Sequence, residues 1–112
     1  KKWAAHYGLD MGSPFKSPVY VAAPGVVKFA GWNGKFGKMI EIDHGAGLKT
    51  RFGHLNKILV KKGQQVNFRD KVGLLGSTGR STGAHLHYEV IFKGRSMNPL
   101  KFFKAGRYVF QE

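Results

Sequence analysis

The stretch "AHLHYEVIF", residues 84–92, decides the fold. Its apolar residues recur at every second position: Leu86, Tyr88, Val90 and Phe92. His85, His87, Glu89 and Ile91 fill the positions between. This is the period of a strand with one face on a core, not of a helix. Positions i and i+2 of a strand share a face, so His85 and His87 stand side by side. Read alone, the pair fits a half-exposed strand face as well as it fits a functional site.

The same period runs outward from this stretch. "KMIEIDHG", residues 38–45, alternates with Ile40, Ile42 and His44 on one face and Met39, Glu41 and Asp43 on the other. "LKTRFGHL", residues 48–55, sets Leu48, Thr50, Phe52 and His54 against Lys49 and Arg51. "PVYVAAPGVVKFAGW" reads as strand, Pro-Gly turn and strand, and "KILVKKGQQV" and "KVGLLGS" as two more short strands around a Gly turn. Asn98-Pro99 stops the β region, and a short helix is expected around "PLKFFKAG", ended by Gly106. No longer segment has helical period, and no repeat, linker or second domain is visible. The expectation is one all-β domain over residues 1–112, a compact antiparallel sheet, consistent with its 16 glycines.

The chain has no cysteine, so any metal must be held by His, Asp or Glu. No apolar run approaches the roughly 20 residues that span a bilayer. The N-terminus has no signal-peptide pattern and begins abruptly. We expect an excised domain whose targeting segment lies upstream. Lys plus Arg is 19 against 6 Asp plus Glu, a formal charge of +13. Such a field draws polyanions, whether nucleic acid, anionic wall polymer or lipid. The basic residues are spread from Lys1 to Arg107 with no run of five, which argues against a dedicated nucleic-acid tail.

Five histidines are present: His6, His44, His54, His85 and His87. In "HYGLDMGS" His6 and Asp10 lie four apart, but Gly8 and Gly12 disfavour a helix, so a loop or extended segment is expected there. Alone, that spacing fits a turn-capping Asp beside an exposed His. Together with the pair at 85 and 87 it supplies two imidazoles and a carboxylate, with histidines to spare. That is the donor stock of a catalytic zinc site, which uses three protein ligands and leaves a fourth position for water. Zinc polarises a carbonyl and makes hydroxide available near neutral pH, and histidines that are not ligands can move protons. His54 closes its strand and is able to join that face or to be a partly buried structural residue. His44 has core-like neighbours and reads as structural. Glu89 is placed either to accept a hydrogen bond from a ligand imidazole or to pair with a lysine.

From "HYGLD" to "NPL" the chain resembles the M23 family of zinc metallopeptidases, the lysostaphin and LytM-type peptidoglycan endopeptidases. The resemblance rests on "SPVYVAAPGVVKFAGW", "IEIDHGAGLKTRFGHLNKILVKKGQQV", "VGLLGSTGRSTGAHLHYEV" and the "NP" dipeptide, in that order. It implies an antiparallel β-sheet domain with a groove over one zinc ion. His6, Asp10 and His87 would be the zinc ligands, and His85 and His54 the catalytic pair, one of them a general base. Phe52 departs from the Tyr that many members carry before the "GHL" element. The implied substrate is the peptide part of bacterial peptidoglycan, and the implied setting a longer protein of the cell envelope with regulatory or anchoring domains upstream. The bond expected to be cut is D-Ala to diaminopimelate, in the periplasm.

Alternatives follow from the same residues. A glycyl-glycine endopeptidase has the same ligands. A non-catalytic LytM-type regulator that activates cell-wall amidases would be expected to lack ligands, and here none is missing. A biotinyl or lipoyl carrier is suggested by "ILVKKGQQVNFRDKVGLLGS", but Lys71 runs straight into an apolar strand. "GLLGSTGRST" lacks the G-x-x-x-x-G-K-[ST] pattern of a phosphate loop, so specific nucleic-acid or nucleotide binding is not expected. Its glycines are expected to let a loop approach the groove closely.

Overall fold

The computed structural model describes the backbone of residues 2–3, 9–12, 16–79 and 85–97, and the side chains of 16–79 and 86–97. The strands are β1 (Lys2–Trp3), β2 (Leu9–Gly12), β3 (Pro18–Tyr20), β4 (Gly25–Trp32), β5 (Lys38–Gly45), β6 (Leu48–Ile58), β7 (Gln65–Val66), β8 (Lys71–Leu75), β9 (His85–Phe92) and β10 (Arg95–Met97). A 3-10 turn, Gly34–Phe36, joins β4 to β5. The all-β expectation holds, and no α-helix occurs among the described residues. The helix expected near "PLKFFKAG" lies outside them. No helix among the described residues is long and apolar enough to cross a membrane.

All pairings among the described residues are antiparallel, and the main path through the sheet is β1-β2-β9-β6-β5-β4-β7. β10 folds back on β9, and β3 pairs with β8 rather than with β4, its neighbour in sequence. The long strand β6 forks the sheet. On one edge it pairs with β5 from Leu48 to Leu55. On the other it pairs with β9 from Leu48 to Gly53, then with β8 from Leu55 to Ile58.

The core lies under the fork. Leu86, Tyr88 and Val90 of β9 point into it, as alternation requires, beside Phe52, Leu55, Ile40 and Ile42. Phe52 and Tyr88 are cross-strand partners whose rings lie 5.3 Å apart. Such aromatic pairs add to the stabilisation from burial itself. Val19, Val21, Val27, Val66 and Val72 extend the core toward β3, β4, β7 and β8. Phe92, at the end of the apolar face, is 37% exposed and falls outside it.

Candidate metal and catalytic site

The face of β9 opposite the core is also covered. His87 is 5% exposed and Glu89 2%, so the half-exposed reading of this face is excluded. Two features make the cover. Gly53, the cross-strand partner of His87, has no side chain to fill the space above it. Phe36, from the 3-10 turn, occupies that space with its ring 5.2 Å from the His87 ring. A Cβ on Gly53 would already sit 3.4 Å from Phe36 and 3.5 Å from His87 Cβ.

Strict alternation puts His54 on the core face with Phe52, and the structure corrects this. Between the pairs Ile40–Phe52 and Lys38–Leu55, two residues of β6 oppose one of β5. This is a β-bulge, and His54 takes a φ of +61° within it. The bulge lies where β6 leaves β9 for β8. It turns the His54 ring to the His87 side, with the two centroids 6.0 Å apart and the planes near perpendicular.

The hydrogen bonds fix which nitrogen of each ring carries the proton. His54 Nδ1 is 2.7 Å from the Thr78 carbonyl, which can only accept. Nδ1–H therefore donates, and in the neutral ring Nε2 holds the lone pair. Thr78 is itself locked: its hydroxyl donates to the Leu55 carbonyl at 2.6 Å and accepts from Lys38 N–H at 3.1 Å. His87 Nε2 is 3.1 Å from Glu89 Oε2. With Nε2–H donating to the carboxylate, His87 Nδ1 is the lone-pair nitrogen. A metal-ligating imidazole needs this arrangement: one nitrogen for the ion and the other held by a carboxylate.

The loop after β8 packs closely at Gly79. A Cβ on Gly79 would lie 2.4 Å from Gly37 N and from the Lys35 carbonyl, so residues 78–79 lie directly on the turn that carries Phe36. Tyr88, beneath His87 in the sheet, has its hydroxyl pushed up to about 12 by burial. It is a packing residue that stays protonated at neutral pH.

Of the residues singled out from sequence, His54 and His87 are brought together. Asp10 is the direct cross-strand partner of His87, and His85 pairs with Gly12 on the same two strands. The side chains of Asp10 and His85, and all of His6, lie outside the described residues. Among the described residues no three His, Asp or Glu side chains converge as a metal site. The donors that are described fit a metal nonetheless, because His87 presents Nδ1 and faces a carboxylate-bearing residue across the ladder. His44 is structural, as expected: Nδ1 donates to the Pro24 carbonyl at 2.7 Å and Nε2 meets the Thr50 hydroxyl at 2.8 Å. It lines a separate depression of about 390 Å³ with Lys28, Asp43 and Gln65, to which none of the site residues contributes. Sequence reasoning overlooked Arg51, Thr78 and Phe36. Arg51 shares a strand face with Lys49 in the sequence pattern, and only the register reveals its place beside Glu89.

The family described as peptidase family M23 matches residues 4–99. Peptidoglycan DD-endopeptidase ShyA of Vibrio cholerae is 46% identical over 101 residues, which is 90% of this chain and 24% of the relative. The chain spans about a quarter of the length of the curated relatives it matches. Among solved structures, a zinc-containing peptidase from Vibrio cholerae is 43% identical with a TM-score of 0.79, covering 82% of this chain and 28% of that one. The catalytic domain of the antimicrobial peptidase lysostaphin from Staphylococcus simulans is 31% identical with a TM-score of 0.83, covering 88% and 79%.

Proposed function

The chain belongs to peptidase family M23, and from that premise we propose that it is a zinc-dependent endopeptidase acting on the peptide crosslinks of bacterial peptidoglycan. The observation that carries this reading is the His87 environment. Its Nε2–H is committed to Glu89, its Nδ1 holds the lone pair, and Asp10 is its direct partner across the ladder. His6, Asp10 and His87 are the proposed ligands. A zinc ion supplies Lewis acidity toward a peptide carbonyl and toward water at neutral pH.

The remaining chemistry belongs to the histidines. Amide hydrolysis requires a proton to leave the attacking water and a proton to reach the departing amine. His54 is arranged for one of these tasks. Thr78 holds its Nδ1–H, so the proton moves at Nε2, and the bulge keeps the ring beside His87. His85 is two residues from His87 on β9 and is proposed as the second proton-handling group. Phe36 excludes water from one side of His87, which strengthens electrostatic interactions there.

The crosslink proposed is D-Ala to diaminopimelate, in a periplasmic setting. It is supported by the greater identity to a relative named a DD-endopeptidase than to lysostaphin. The charge of +13 suits a wall polymer rich in carboxylates.

Paired substitutions test the roles. His87→Ala is expected to lose zinc, measured by metal analysis after dialysis, together with hydrolysis. His85→Ala is expected to keep zinc and lose hydrolysis by about a hundredfold or more. If His85→Ala lost the metal while His87→Ala kept it, the assignment would be wrong.

A further inference from the structure

We propose that Arg51, held by Glu41, is a positioning residue that fixes Glu89 and through it the metal affinity of His87; the inference rests on His87 being a metal ligand. Glu41, Arg51 and Glu89 are direct cross-strand partners on β5, β6 and β9. They form a ladder on the His87 face of the sheet. Glu89 divides its carboxylate between two donors: Oε2 to His87 Nε2 at 3.1 Å and Oε1 to Arg51 Nη1 at 3.4 Å. Arg51 Nε donates to Glu41 Oε1 at 2.8 Å. Lys49 approaches the outer oxygen of Glu41 at 3.7 Å. Glu89 is the buried end of the ladder, and Arg51 at its middle is the exposed member. The side chains of Lys49, Arg51, Glu41 and Glu89 are 42%, 36%, 14% and 3% exposed.

This contrast separates two roles that Arg51 could have. A pair whose cation is a third exposed adds little to folding. Its effect belongs at the buried end, where one carboxylate must stay charged and correctly turned. A guanidinium is a rigid fork able to serve two carboxylates at once, which an ammonium does with far less directional control. Arg51 therefore sets the rotation of Glu89, and Glu89 sets which nitrogen of His87 is protonated. Glutamine at 89 breaks the arrangement although its size is kept. It has one acceptor oxygen for two donors, so its NH₂ must face either His87 or Arg51.

The test uses the zinc dissociation constant by competition with a chromophoric chelator, alongside nitrogen NMR of the His87 ring in metal-free protein and thermal melting. Glu89→Gln is expected to weaken zinc roughly 10–100-fold and to mix the two His87 tautomers. Arg51→Met is expected to weaken zinc about tenfold with a small change in Tm, and Arg51→Lys to recover part of that loss. A purely structural role would lower Tm and leave the tautomer and the zinc constant unmoved. The inference is overturned if Glu89→Gln and the Arg51 variant that folds bind zinc within about twofold of the unaltered chain while His87→Ala loses it. If His87→Ala itself binds zinc normally, the ligand assignment fails and takes this inference with it.

Discussion

His54 shows how much a single backbone angle decides. Period-two reasoning assigned it to the face of Phe52, and a φ of +61° put it on the other. A non-glycine residue in that region carries strain, which the surrounding structure must hold in place. Here the Thr78 carbonyl, the fork of β6 and the packing of residues 78–79 hold it. Alternation along a sequence contains no mark for a bulge, so this was not legible. The burial of Leu86, Tyr88 and Val90 on one face was legible, because nothing interrupts the period of β9. Tyr88 permits a test of that burial. Its folded-state pKa is raised to about 12 by desolvation, against an ordinary value near 10. Both states are protonated below pH 10, so its contribution to stability is fully present there and is lost as pH rises through about 12. Denaturant titrations across that window should show stability falling by a few kcal/mol more in the unaltered chain than in Tyr88→Phe. Equal alkaline slopes would mean that the hydroxyl is not buried.

At the scale of elements, the sequence disclosed the central strands but not their partners. β5, β6 and β9 announce themselves by alternation, whereas β3 gives no sign that it pairs with β8 across the chain. The hairpin to β10 was missed because Lys93-Gly94 is a weak turn signal before only three residues. The glycines of "GLLGSTG" were legible as loop-forming, and the structure gives the reason for two of them. A Cβ on Gly76 would lie 2.4 Å from Asn56 N, and one on Gly79 equally close to Gly37 N. Gly79 also has a φ of +75°, while Gly63 has a φ of +92° with nothing within 4 Å. Gly63→Ala is therefore expected to cost about 1 kcal/mol, the left-handed strain alone. Gly79→Ala is expected to cost about 3 kcal/mol, because strain and backbone overlap combine. Equilibrium unfolding checks the difference, and equal costs would remove the close approach of the two loops from the account.

For the whole molecule, the absence of cysteine, the histidine spacing and the resemblance over nearly the full chain led to the family before any fold was known, and the match over residues 4–99 agrees. What sequence could not supply was the way the sheet joins its ends. The register brings Asp10, near the N-terminus, opposite His87 on β9, and the β6 fork brings His54 beside it. The proposed site thus depends on three strands far apart in the chain meeting along one ladder. The most direct test of the central claim is digestion of purified diaminopimelate-type peptidoglycan by the chain, with new termini identified by mass spectrometry in the presence and absence of a chelator. The account predicts new D-Ala carboxyl and diaminopimelate amino termini, abolished by the chelator and restored by zinc. Unchanged cleavage in the chelator, or no new peptide termini from the zinc-loaded chain, would contradict it.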